Sequence, residues 1–62
     1  MIPVKVDVPK GSVLPDMFDW CYNQKLLQSI DWQWKRPGWN ETKYTFLFKE
    51  EKYAIMFSLR WL

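Results

Sequence analysis

A lone cysteine, Cys21, and a scatter of carboxylates are the first groups to weigh for covalent or acid–base chemistry in this chain, whose 62 residues include no histidine. A cysteine nucleophile needs a nearby base to become a thiolate, and with no imidazole present Cys21 reads as a buried thiol on a first helix. Asp16 and Asp19 have the spacing of an acid/base pair on one helical turn. The same spacing just after Pro15 is what a helix start asks for, with proline in the first turn and carboxylates at the positive end of the dipole. Glu50 and Glu51 read the same way ahead of the apolar run that follows them. No Cys/His spacing suits a metal and no glycine-rich loop suits a phosphate. The sequence therefore predicts no catalytic residues, no metal and no cofactor.

Recognition is the chemistry that remains. Five tryptophans, four phenylalanines and three tyrosines are packed into this short chain, together with a formal net charge of +2. Large aromatic side chains serve both small cores and binding surfaces. Trp39 stands out because it lies between Gly38 and Asn40 in a predicted turn, next to Lys35 and Arg36. A tryptophan at a loop tip is a common interface anchor. It could equally fold back to cover the edge of the core. The candidate binding residues are Arg36 and Trp39 as the anchor, with Lys35 and Lys43 supplying charge complementarity to an acidic partner surface. The alternative is single-stranded nucleic acid, with Lys5, Lys35, Arg36 and Lys43 on phosphates and aromatic faces on bases.

The elements that must carry these residues follow from periodicity. Ile2, Val4, Val6 and Val8 alternate with Pro3, Lys5 and Asp7, so residues 2–8 are expected to form a strand with one buried face, and Pro3 suggests a sheet edge. Pro9 to Ser12 break the pattern, and a helix is expected from about residue 15 to 25 with a wide apolar arc. Ile30, Trp32 and Trp34 alternate with Asp31, Gln33 and Lys35 up to Pro37, which makes a second strand. Residues 42–48 make a third, and the short link 37–41 suits a hairpin between them. The segment from Lys49 to Leu62 has two readings. Tyr53, Ile55, Phe57, Leu59 and Trp61 alternate as a strand would, whereas Ala54, Phe57 and Trp61 share a helical face after an acidic first turn. The helical reading is preferred. The expectation is one small α+β domain spanning 1–62, β-α-β-β-α, a three-stranded antiparallel sheet with two helices on one face. The alternative is β-α-β-β-β with residues 53–61 as a strand. A core filled this way is expected to leave little room for a deep pocket.

The stretch Lys43-Tyr44-Thr45-Phe46-Leu47-Phe48-Lys49-Glu50-Glu51-Lys52-Tyr53-Ala54 resembles the third strand and following helix of RNA-recognition motifs, without the glycines of that pattern. The element order resembles a ferredoxin-like unit lacking its final strand, and both resemblances imply topology. Trp20-Cys21 in a first helix, the Trp32/Trp34 strand, the aromatic third strand and the run Ala54 to Trp61 together resemble small uncharacterised proteins of tailed bacteriophages. That resemblance implies a phage accessory or host-directed factor that works by binding.

Face assignment separates the two binding hypotheses. If the valines of the first strand mark the core, then Trp32, Trp34, Tyr44, Phe46 and Phe48 are buried beside them. The open face then carries Lys5, Asp7, Asp31, Gln33, Lys35, Lys43, Thr45 and Leu47, charged but without stacking platforms. An RNA-binding sheet requires the reverse. With no leader and no apolar run of membrane-spanning length, the chain is expected in the cytoplasm, the host's if it is phage-encoded. A protein partner is expected, nucleic acid is the alternative, no membrane is implied, and a homodimer formed by pairing a free sheet edge is a further possibility.

Overall fold

A computed structural model of the chain describes residues 1–8 and 13–61. In order they form β1 (Ile2–Asp7), α1 (Val13–Asn23), β2 (Trp32–Lys35), β3 (Lys43–Phe48) and α2 (Glu51–Trp61). The strands make an antiparallel sheet in the order β1-β3-β2, so the class is α+β and the element order is β-α-β-β-α. The expected break at Pro9 to Ser12 lies outside the described residues.

Register fixes the faces. Ile2, Val4 and Val6 of β1 lie opposite Phe48, Phe46 and Tyr44 of β3, and Trp32 and Trp34 of β2 lie opposite Phe48 and Phe46. Because side chains alternate across a strand, all of these share one face, and both helices cover it. Met17 and Cys21, one helical turn apart on α1, are buried there with Ala54 and Phe57 of α2. Trp32 stacks on Phe46 with rings 6.0 Å apart and 10° from parallel, while Phe57 meets Phe46 at 4.7 Å and Phe48 at 5.1 Å. Trp20 joins the helices, its ring edge-on to Trp61 at 5.8 Å. The uncovered face carries Pro3, Lys5, Asp7, Gln33, Lys35, Lys43, Thr45 and Leu47.

The last element is a helix, and burial shows why the strand-like alternation gives way. Ala54 and Phe57 are buried and Trp61 is half-buried, a three- and four-residue spacing, whereas Ile55 and Leu59 point outward. Glu51 lies in the first turn and Arg60 in the last, each at the end of the dipole that favours its charge. Helix α1 begins and ends about two residues earlier than its sequence suggests. It closes with a Schellman motif: Leu26 N–H donates to the Cys21 carbonyl at 3.2 Å and Lys25 N–H to the Tyr22 carbonyl at 2.9 Å. Lys25 holds the left-handed conformation at φ 61°, a position that glycine usually fills.

Strand β2 starts at Trp32, later than the alternation from Ile30 predicts. Asp31 Oδ2 accepts the Leu27 N–H at 2.9 Å and Ser29 takes a φ of 69°, so residues 27–31 close into a loop before the strand begins. Asp31 therefore caps that loop and does not belong to the open sheet face. The loop also covers part of β2's outer edge, since Trp32 N–H donates to the Leu27 carbonyl and Ser29 N–H donates to the Trp32 carbonyl at 2.6 Å.

These bonds set the direction of every main-chain polar group in the sheet. In an antiparallel sheet the N–H and C=O of one residue point to the same side and successive residues alternate. Trp32 points away from β3, and Lys49 N–H reaches toward β2 to donate to the Asp31 carbonyl at 2.9 Å. Odd-numbered residues of β3 thus face β2 and even-numbered ones face β1. It follows that Ile2, Val4 and Val6 bond to β3, while Pro3, Lys5 and Asp7 aim their main-chain groups outward from the sheet. Pro3, which has no N–H to give, occupies an edge position where none is needed for the ladder.

Candidate binding surface

The hairpin joining β2 and β3 carries all four candidate binding residues. Gly38 to Glu41 form its tip, a four-residue turn closed by Glu41 N–H donating to the Gly38 carbonyl at 2.9 Å. Trp39 and Asn40 are the central residues, and neither takes a positive φ. Trp39 is 96% exposed, so it does not fold back over the core. An indole left so open to water at a defined turn is a large apolar surface held in place by short-range backbone geometry.

Lys35 and Lys43 lie below the tip on the uncovered sheet face. Lys35 is opposite Thr45, which is opposite Lys5, so Lys5, Thr45 and Lys35 form one row across the three strands. Lys43 is two residues along β3 from Thr45 and faces Asp7. Arg36 parts from this group. Its guanidinium carbon is 5.8 Å from the centre of the Trp34 ring, a cation–π distance, and Trp34 belongs to the helix-covered face. The hairpin therefore has a basic side, Lys35 and Lys43, and an aromatic side where Arg36 lies over Trp34, which also stacks on Tyr44 at 6.2 Å. Trp39 projects beyond both.

A second feature adjoins the aromatic side. Phe18 and Tyr22 of α1, Leu26 and Leu27 of the following loop, and Trp32 and Trp34 of β2 line an open groove of about 1030 Å³. Asp19 and Lys25 stand among the polar groups at its rim. The expectation of little room for a deep pocket concerned the interior, and this groove lies on the outside, between α1 and the outer edge of β2. None of its lining residues was among the four candidate binding residues, and Asp19 figured in the sequence only as a helix-start carboxylate. The available signal was the wide apolar arc of α1, more than one packed face needs, with Leu26 and Leu27 continuing it past the helix end. Tyr22 and Leu27 are exposed at 80% and 58%.

Cys21 is fully buried, and burial pushes its thiol up to about 12, so the thiolate is suppressed at neutral pH. Among the described residues no three His, Cys, Asp or Glu side chains converge as a metal site would require, and no helix is long and apolar enough to cross a membrane. Compared with family models, curated proteins and solved structures, the chain matches none.

Proposed function

We propose that the protein is a non-catalytic binding module that docks an acidic protein partner through the β2–β3 hairpin. The observation that carries this reading is Trp39, 96% exposed at a closed turn and flanked by Lys35, Arg36 and Lys43. Trp39 is the apolar anchor, a residue type that dominates interface energetics when a partner desolvates it. Lys35 and Lys43 steer acidic groups toward the open sheet face, and Arg36, already resting on Trp34, offers its free donors to a carboxylate. The bacteriophage resemblance fits a phage accessory or host-directed factor acting in the cytoplasm.

The second reading, a single-stranded nucleic-acid module, draws on the row Lys5, Thr45, Lys35 with Lys43 beside it. That face holds cations for phosphates but no aromatic ring for bases, since the sheet's aromatics lie beneath the helices. The experiment is a pair of assays on the wild type and Trp39→Ala. In affinity capture the wild type is expected to retain an acidic protein that the variant loses, a weakening of about 1–2 kcal/mol or more. Equal retention by the two proteins overturns the anchor role. Titration with single-stranded DNA and RNA at physiological salt is expected to give no saturating response. Saturation there replaces the protein-partner reading with the nucleic-acid one.

A further inference from the structure

The two edges of the sheet are not alike. At β2 the loop 27–29 already bonds to Trp32, whereas among the described residues no strand pairs on the outer side of β1. There Lys5 and Asp7 point both their N–H and C=O groups outward. Beside that edge runs a mostly apolar groove of about 440 Å³ lined chiefly by Ile2, Val4, Ala54, Ile55 and Leu59, with Glu51 and Ser58 as its polar members. Ile55 is 51% exposed and Leu59 82%.

We infer that this edge is the interface for a second copy of the chain, with the two β1 strands paired antiparallel about a two-fold axis at Val6. The bonding directions restrict the register, because only outward-pointing residues can exchange main-chain bonds, and these are Pro3, Lys5 and Asp7. An axis at Val4 sets Lys5 against Pro3 of the second copy, which lacks an N–H. An axis at Lys5 sets lysine against lysine, and one at Asp7 sets carboxylate against carboxylate. An axis at Val6 sets Lys5 against the second copy's Asp7 and Asp7 against its Lys5. Each of those pairs exchanges both its N–H···O bonds and also places opposite charges directly across the strands on the uncovered face. On the helix side the same register brings Val6 against Val6 and Val4 against Val8. The edge is thus complementary to itself in charge and in hydrogen bonding at one register.

The helix layer agrees with this arrangement. Helix α2 lies over β1 and β3, and neighbouring strands are about 4.8 Å apart, so the two α2 helices approach to about 10 Å across the axis, a helix-packing distance. Ile55 and Leu59, open to water in one copy, then lie between the helices. The interface is isologous, each copy giving the same patch.

Sedimentation velocity over a concentration series tests the proposal, with Lys5→Asp, Asp7→Lys and the double exchange as variants. The wild type is expected to dimerise. Each single variant sets like charges opposite twice per dimer and is expected to weaken it roughly ten-fold or more, while the double exchange restores opposite charges and recovers wild-type affinity. Lys5 faces the neutral Thr45 within its own chain, so Lys5→Asp leaves the fold intact even if Asp7→Lys, which meets Lys43, does not. The amide protons of Lys5 and Asp7 in the wild type supply a readout without mutation: their hydrogen exchange slows as concentration rises. A wild type that stays monomeric, a folded double exchange that fails to recover the dimer, or exchange at Lys5 and Asp7 that ignores concentration overturns the inference.

Discussion

Burial of the Cys21 thiol ties folding to pH. Its titration moves from an ordinary 9.0 to about 12, chiefly because the interior disfavours the thiolate. Below pH 9 the thiol is neutral in both folded and unfolded chains and its contribution is fully present. Above pH 9 only the unfolded chain releases the proton, so stability falls by about 1.4 kcal/mol per pH unit from this group until the folded thiol also ionises near 12. Denaturant titrations of wild type and Cys21→Ala test the point. At neutral pH the variant is expected to be less stable by about 1–2 kcal/mol for the lost packing, and the gap should close as pH climbs past 9. A gap that is constant with pH refutes the linkage. That Cys21 is buried was legible from the missing histidine and the helical surroundings. The exposure of Trp39 was legible only as one of two outcomes, because whether an indole at a turn swings out or back depends on how the strands beneath it are already packed.

At the scale of elements, the end of α1 is strained. Lys25 adopts a left-handed backbone, which costs a residue with a Cβ about 1–2 kcal/mol, yet the position is required by the Schellman bonds that bring Leu26 into the core. Lys25→Gly relieves that strain, and the variant is expected to gain about 1 kcal/mol in chemical denaturation with no change in fold; no gain or a loss would show that the lysine is unstrained. Such features explain what the sequence concealed. The strands β1 and β3 were legible because their alternation is long and each buries one face. The first residues of β2 were not, since Asp31 and Ser29 build a loop through bonds to Leu27 that periodicity does not encode. For α2 the pattern suited both structures, and the acidic first turn with Ala54, Phe57 and Trp61 on one side favoured the correct one. The groove beside α1 was concealed for a related reason: its walls come from a helix, a loop and a strand edge, and only their meeting makes a concavity.

For the molecule as a whole, a core this small concentrates its stability in few side chains. Phe57 is fully buried and contacts the rings of Trp20, Phe46, Phe48 and Trp61, so it ties α2 to α1 and to the central strand. Phe57→Ala is expected to cost about 3–5 kcal/mol, comparable to the whole stability of a domain of this length at about 0.05–0.15 kcal/mol per residue. Loss of cooperative unfolding in the variant checks this, and a sharp transition near that of the wild type contradicts it. The unequal edges of the sheet have a consequence at the same scale. A sheet bare on both sides can accept a neighbour on each and grow into a fibre. Here β2 is four residues long, covered at Trp32 by its own loop and followed at once by Arg36 and Pro37. Edge-to-edge pairing is open at β1 and obstructed at β2, so a pair joined through β1 would present only β2 edges outward, and the same contact could not propagate into a fibre.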